Sequence, residues 1–249
     1  IEINPNYVDA HYNLGSTFKN LGELQKARGC YERIIEIAPN YVNAHNNLGV
    51  IFQELEEYQK AKDCYERIIE IDPNYAPAHN NLGIVFKNLG ELQKAKDSYK
   101  KAISVDPNYA HAHNNLGIIY KELGENQKAK ESYEKAIEIN PNYTDAYSNL
   151  GVIYKELREY QKTKECYEKV IELDPNNIDA LNNLGNVFKE LREHQKAINF
   201  YEKVIELDHN NINALNNLGV IFAELREHQK AKSCYEKVIE LDPNNINAL

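Results

Sequence analysis

Residues 42–75 read VNAHNNLGVIFQELEEYQKAKDCYERIIEIDPNY, and residues 76–109, which follow directly, read APAHNNLGIVFKNLGELQKAKDSYKKAISVDPNY. The second stretch restates the first at an offset of 34 residues, and the Leu-Gly pair near its start recurs at Gly15, Gly49, Gly83, Gly117, Gly151, Gly185 and Gly219. Self-similarity at a constant period signals stacked supersecondary units, whereas length alone would favour one or two globular cores. With that glycine at position 8, full units run 8–41, 42–75, 76–109, 110–143, 144–177, 178–211 and 212–245, with partial units at 1–7 and 246–249. No insertion breaks the register, so residues 1–249 are expected to form a single array. Both ends are expected to be cuts through a longer repeat run.

Inside a unit, apolar residues fall at positions 3, 7 and 11 and again at 20, 24, 27, 28 and 30, which is helical spacing in two segments. Each unit is therefore a helix pair. Leu21-Gly22 and Leu89-Gly90 supply a glycine able to take the left-handed conformation after the first helix, and later units carry Arg158, Arg192 or Arg226 instead. Pro39, Pro73, Pro107, Pro141, Pro175 and Pro243 stop the second helix, with His209 as the exception. Small Gly49 and Ala61 face large Phe52 and Tyr65, a pairing that lets two helices interlock. Asp63 with Arg67, Asp97 with Lys101, Glu131 with Lys135 and Glu165 with Lys169 stand four apart and are expected to pair on a solvated face.

The composition is that of a folded chain, 42% hydrophobic and 27% charged. No apolar run approaches the roughly 20 residues that cross a bilayer, so no membrane role is expected. A net charge of −9 repels phosphate backbones and argues against nucleic-acid binding. Cys30, Cys64, Cys166 and Cys234 lack the close spacing of a zinc or redox site. His11, His45, His79 and His113 recur once per unit, on the order of 10 Å apart in packed helices and too far for shared ligation. Both sets are expected to be packing residues. No phosphate-binding glycine loop, G-x-S-x-G or H-E-x-x-H is present, so no catalytic residue, metal or cofactor is expected.

Leu48, Gly49, Phe52, Ala61, Tyr65 and Pro73 on a 34-residue period resemble the tetratricopeptide repeat (TPR) family, and the likeness covers essentially the whole chain. Thr163 departs from it where a small Ala is usual, as do Ile34, Ile68, Val170, Val204 and Val238. The resemblance implies an all-α, right-handed superhelical solenoid of seven helix-turn-helix repeats, with first helices lining a concave groove. It also implies a non-catalytic protein- or peptide-binding scaffold, with a cytoplasmic location expected.

Family geometry points position 6 into that groove, and here it is always Asn: Asn13, Asn47, Asn81, Asn115, Asn149, Asn183 and Asn217. An Asn side chain offers both an acceptor and donors, so a row of them can hold an extended peptide by its backbone. This is similar to the asparagine-lined repeat region of O-linked N-acetylglucosamine transferases. Solubility or bonding within a repeat is the competing role. Position 12 adds Lys19, Lys87, Lys121, Lys155 and Lys189 as a basic edge, although an acidic or amide residue follows each. The carboxylate-clamp subgroup differs, since position 5 here is Tyr12, Asn46, Asn80, Asn114, Ser148, Asn182 and Asn216 where that subgroup uses Lys. The alternative roles are the substrate-recruiting arm of a larger glycosyl- or sulfotransferase, and head-to-tail self-association through the array ends.

Overall fold

A computed structural model describes residues 7–242. Residues 1–6, the stop expected at Pro243 and the second partial unit at 246–249 lie outside the described residues. Those described form α-helices and turns, with no strand among them. The chain divides into two compact units, residues 1–139 and 140–249. The first holds α1 (Val8–Asn20), α2 (Leu24–Ile37), α3 (Val42–Glu54), α4 (Tyr58–Ile71), α5 (Ala76–Asn88), α6 (Leu92–Val105), α7 (Ala110–Glu122) and α8 (Asn126–Ile139). The second holds α9 (Thr144–Glu156), α10 (Tyr160–Leu173), α11 (Ile178–Glu190), α12 (His194–Leu207), α13 (Ile212–Glu224) and α14 (His228–Leu241). Odd-numbered helices are the first of each repeat and even-numbered ones the second. Within each unit, every helix packs on its chain neighbours.

The turn inside each hairpin has one conformation whatever its sequence. Gly22, Gly90 and Gly124 take φ of 74°, 76° and 73°, and Glu56, Arg158, Arg192 and Arg226 take φ between 58° and 61° at the same position. The next residue's N–H then reaches back to a carbonyl of the last helical turn, as Glu57 does to Phe52 at 2.8 Å and Glu91 to Phe86 at 2.8 Å. These bonds satisfy carbonyls that the helix end would leave orphaned. The turn between repeats has a second device. Asp72, Asp106, Asn140, Asp174 and Asp208 each accept a bond from the backbone N–H two residues on, at 3.0–3.2 Å. That Asp/Asn turn, made by Asp208 here, explains why His209 can stand where the other repeats have proline. Asn177 and Asn211 also cap the helices they precede, accepting from the N–H groups of Ala180 and Ala214 at 3.0 and 3.1 Å.

Each hairpin closes through the expected small-large contact. A Cβ added to Gly49 would meet the Tyr65 ring at 2.7 Å, and one on Gly83 would meet Tyr99 at 2.6 Å. Those tyrosines are fully buried, as are Ala61 and Ala95 beside them. Thr163 is equally buried, and its hydroxyl donates to the Glu159 carbonyl at 3.1 Å, so the helix itself satisfies the extra polar atom.

Charged side chains bind consecutive repeats together. The Phe52 ring has Lys60 of its own repeat and Arg28 of the preceding one over it, at 5.5 and 5.1 Å. Tyr120 is held in the same way by Lys128 and Lys96, and Phe188 by Lys196 and Lys164. Such contacts are worth about 0.5–1 kcal/mol each when exposed. Glu57 pairs with both Lys60 and Arg28, and Glu125 with both Lys128 and Lys96. Bonding to those cations holds both carboxyls below the usual range. The pairs expected on the second helices do not form. Asp63, Asp97, Glu131 and Glu165 instead accept from Gln59, Gln93, Gln127 and Gln161, while Arg67, Lys135 and Lys169 turn to Glu70, Glu138 and Glu172. A glutamine one turn earlier and a glutamate three residues later offer shorter reaches than the expected partner.

Candidate peptide-binding face

The position-6 asparagines sit on the odd-numbered helices, where the spacing of the repeat puts them on one face within each unit. In the first unit Asn13 is exposed, and Asn47, Asn81 and Asn115 are half-buried. Asn149, Asn183 and Asn217 of the second unit are half-buried as well. In the first unit the half-buried ones bond to the preceding repeat. The amide of Asn47 donates to the Tyr12 hydroxyl at 3.2 Å, that of Asn81 to Asn46 Oδ1 at 3.2 Å, and that of Asn115 to Asn80 Oδ1 at 3.0 Å. Position 6 of one repeat thus ties to position 5 of the one before. Sequence reasoning missed this tie, whose two ends lie 35 residues apart. The run of polar residues at position 5 was the available signal.

The last two repeats alter the pattern. Asn186 stands where most units have Val or Ile, accepts from the Tyr201 hydroxyl at 2.8 Å, and draws the Asn217 amide to its Oδ1 at 3.3 Å. Asn182, the position-5 residue bypassed in this way, keeps a buried Oδ1 with no hydrogen-bond partner. Lys189 donates to Asn217 Oδ1 at 2.6 Å, so one member of the basic row joins the asparagine network. Lys19, Lys87, Lys121 and Lys155 are half-buried at the equivalent position.

Beneath this face lie the buried tyrosines, whose hydroxyls reach up to it from the second helices. Tyr31 shares a bond with Ser16 at 3.1 Å, and Tyr65 donates to Gln53 at 2.6 Å. Desolvation raises the hydroxyls of Tyr65, Tyr99, Tyr167 and Tyr201 well above the ordinary tyrosine range. It likewise pushes the Cys64 thiol up to about 12 and raises Cys30 and Cys234. A thiol so shifted is a poor nucleophile at neutral pH. The histidines at position 4 are anchored, with Nε2 of His45, His79 and His113 bonded to the Pro39, Pro73 and Pro107 carbonyls at 2.8–2.9 Å. Among the described residues, no group of three or more His, Cys, Asp or Glu side chains could hold a metal ion. No helix among them is long and apolar enough to cross a membrane.

No curated protein matches the chain in sequence. Among solved structures it is similar to YrrB, described as a TPR protein with an unusual peptide-binding site, at 24% identity over 76% of this chain and 97% of that one, TM-score 0.67. It is also similar to pilF of Pseudomonas aeruginosa, at 23% identity over 83% and 94% of the two chains, TM-score 0.74. A third likeness is to a structure of the APC/C hetero-tetramer Cut9-Hcn1, at 18% identity, covering 99% of this chain and 49% of that one, TM-score 0.71. At such identities these likenesses carry the fold. The sequence profile of the tetratricopeptide repeat matches residues 8–41, 42–75, 76–109, 110–143, 144–177, 178–211 and 212–245. With seven consecutive matches spanning nearly all of its length, the chain belongs to the tetratricopeptide repeat family, whose members generally serve as protein-interaction scaffolds.

Proposed function

We propose that this scaffold holds an extended segment of a partner protein by its backbone, using the asparagines of the odd-numbered helices. The supporting observation is the tie between repeats. Because the Asn81 and Asn115 amides are each anchored by one bond to the preceding repeat, their rotamers are set before any ligand arrives. Fixing such side chains on binding ordinarily costs about 0.5–1.5 kcal/mol each, and that cost is reduced here. Each anchored amide retains a second N–H and an acceptor lone pair for a peptide C=O and N–H. YrrB, described as having a peptide-binding site, supplies an example within the same fold. A net hydrogen bond contributes about 1 kcal/mol, so three or four working together support binding in the millimolar range, on the order of 1–10 mM.

The test is selection of binders from a random peptide library on the whole chain, followed by titration of a selected peptide and its backbone N-methylated version. Backbone recognition predicts at least a tenfold loss on N-methylation. A similar loss is expected in Asn47→Ala/Asn81→Ala/Asn115→Ala at unchanged helicity. Full binding by the triple variant would overturn the reading.

A further inference from the structure

A solvent-open cleft of about 340 Å³ lies between α7 and α8, lined by His113, Leu116 and Tyr120 on one helix and by Lys128, Ser132 and Lys135, among others, on the other. Ser132 occupies position 23, where other repeats carry cysteine or serine and the sixth carries Phe200. That one substitution shows what the space accepts. In the sixth repeat the Phe200 ring stacks on Phe188, the counterpart of Tyr120, with centroids 5.5 Å apart and planes 8° from parallel. The corresponding cleft shrinks to about 260 Å³ and is lined by Lys196, Asn199, Phe200 and Lys203, none of them from α11. Leu184 and Phe188 are 1% and 4% exposed, against 7% and 8% for Leu116 and Tyr120.

The polar groups around the open cleft are already engaged. Ser132 donates to the Lys128 carbonyl at 2.8 Å, and His113 is tied to the Pro107 carbonyl. Lys128 pairs with Glu125, Lys135 with Glu138, and Glu131 accepts from Gln127. What remains open to solvent is a small part of Leu116 and of the Tyr120 ring, 7% and 8% exposed. The two cations over Tyr120 are no obstacle, because Phe188 carries the same pair and still stacks with Phe200. We propose that the α7–α8 cleft receives a neutral aromatic side chain of a partner protein, stacked on Tyr120 as Phe200 is stacked on Phe188. The site is separate from the asparagine row and does not depend on it.

N-acetyl-phenylalaninamide, titrated into the whole chain and followed by NMR, tests this against N-acetyl-alaninamide. The expected result is saturable shifts at Tyr120 and Ser132 with Kd on the order of 1–10 mM, and at least tenfold weaker binding of the alanine probe. Ser132→Phe should abolish those shifts by filling the cleft from within. Phe200→Ser should add a responsive locus at Phe188, a gain that loss of folding could not produce. Absence of saturable shifts at Tyr120, equal response to both probes, or failure of Phe200→Ser to add a site would overturn the proposal.

Discussion

The Tyr99 ring occupies the space a methyl group on Gly83 would need, at 2.6 Å, and a buried ring has no room to move aside. Gly83→Ala gains up to about 1 kcal/mol of helix propensity but overpacks the core by about 1–3 kcal/mol, so it should lower stability by about 1–2 kcal/mol net. Gly29 provides the opposite case, lying inside α2 with nothing within 4 Å of an added Cβ. Gly29→Ala should raise stability by about 0.5–1 kcal/mol. Urea denaturation of both variants checks the pair, and equal signs would contradict the packing argument. The Gly83–Tyr99 contact was legible in the sequence because both partners recur in rows of fixed size. The bonds of Asn81 and Asn115 were not, because an amide's partner is set by which donor lies nearest across a repeat boundary. The expected Asp63–Arg67 pair failed for a related reason, since a spacing of four admits Gln59 as readily as Arg67 and only geometry chooses.

The hairpin turn imposes its left-handed residue on the sequence. Glu56 and Arg158 hold φ of 58° there, a conformation that costs a residue with a side chain about 1–2 kcal/mol. Glu56→Gly and Arg158→Gly remove that strain, partly offset by the freedom glycine loses on folding, and should each stabilise by about 0.5–1 kcal/mol in thermal or urea melts. At the other end of the hairpin, Asn177 satisfies the Ala180 N–H that begins α11. Asn177→Ala should cost about 1 kcal/mol, whereas five of the repeats place tyrosine at the equivalent position and form the helix without a side-chain cap. The helices and their stops could be read from apolar spacing, glycine and proline. Persistence of the turn with Arg or Glu could not, because stacking of the flanking helices overrides local preference, and the Asp72-type carboxylate turn was hidden behind the more conspicuous proline.

Across the molecule the same aromatic residue is buried in repeat after repeat, Tyr31, Tyr65, Tyr99, Tyr133, Tyr167 and Tyr201, and this links stability to alkaline pH. In an unfolded chain a tyrosine ionises near pH 10 and a cysteine near 8.5. Burial raises Tyr31, Tyr65, Tyr99, Tyr167 and Tyr201 above that value and pushes Cys64 up to about 12. Below the unfolded values both states keep their protons, so these groups add no pH dependence. Above them the unfolded chain releases protons that the folded one retains, and stability must fall as pH rises. Because nearest-neighbour contacts hold an array together, the loss should appear in every repeat rather than at one end. Urea midpoints are expected to stay level from pH 7 to about 8.5, begin to decline as the thiols titrate, and drop steeply beyond about pH 10. Cys64→Ser should lessen the first part of that decline, with Cys30 and Cys234 still contributing, and leave the second intact. A midpoint unchanged at pH 11 would mean that the hydroxyls reach water in the folded state, which contradicts their burial beneath the asparagine face.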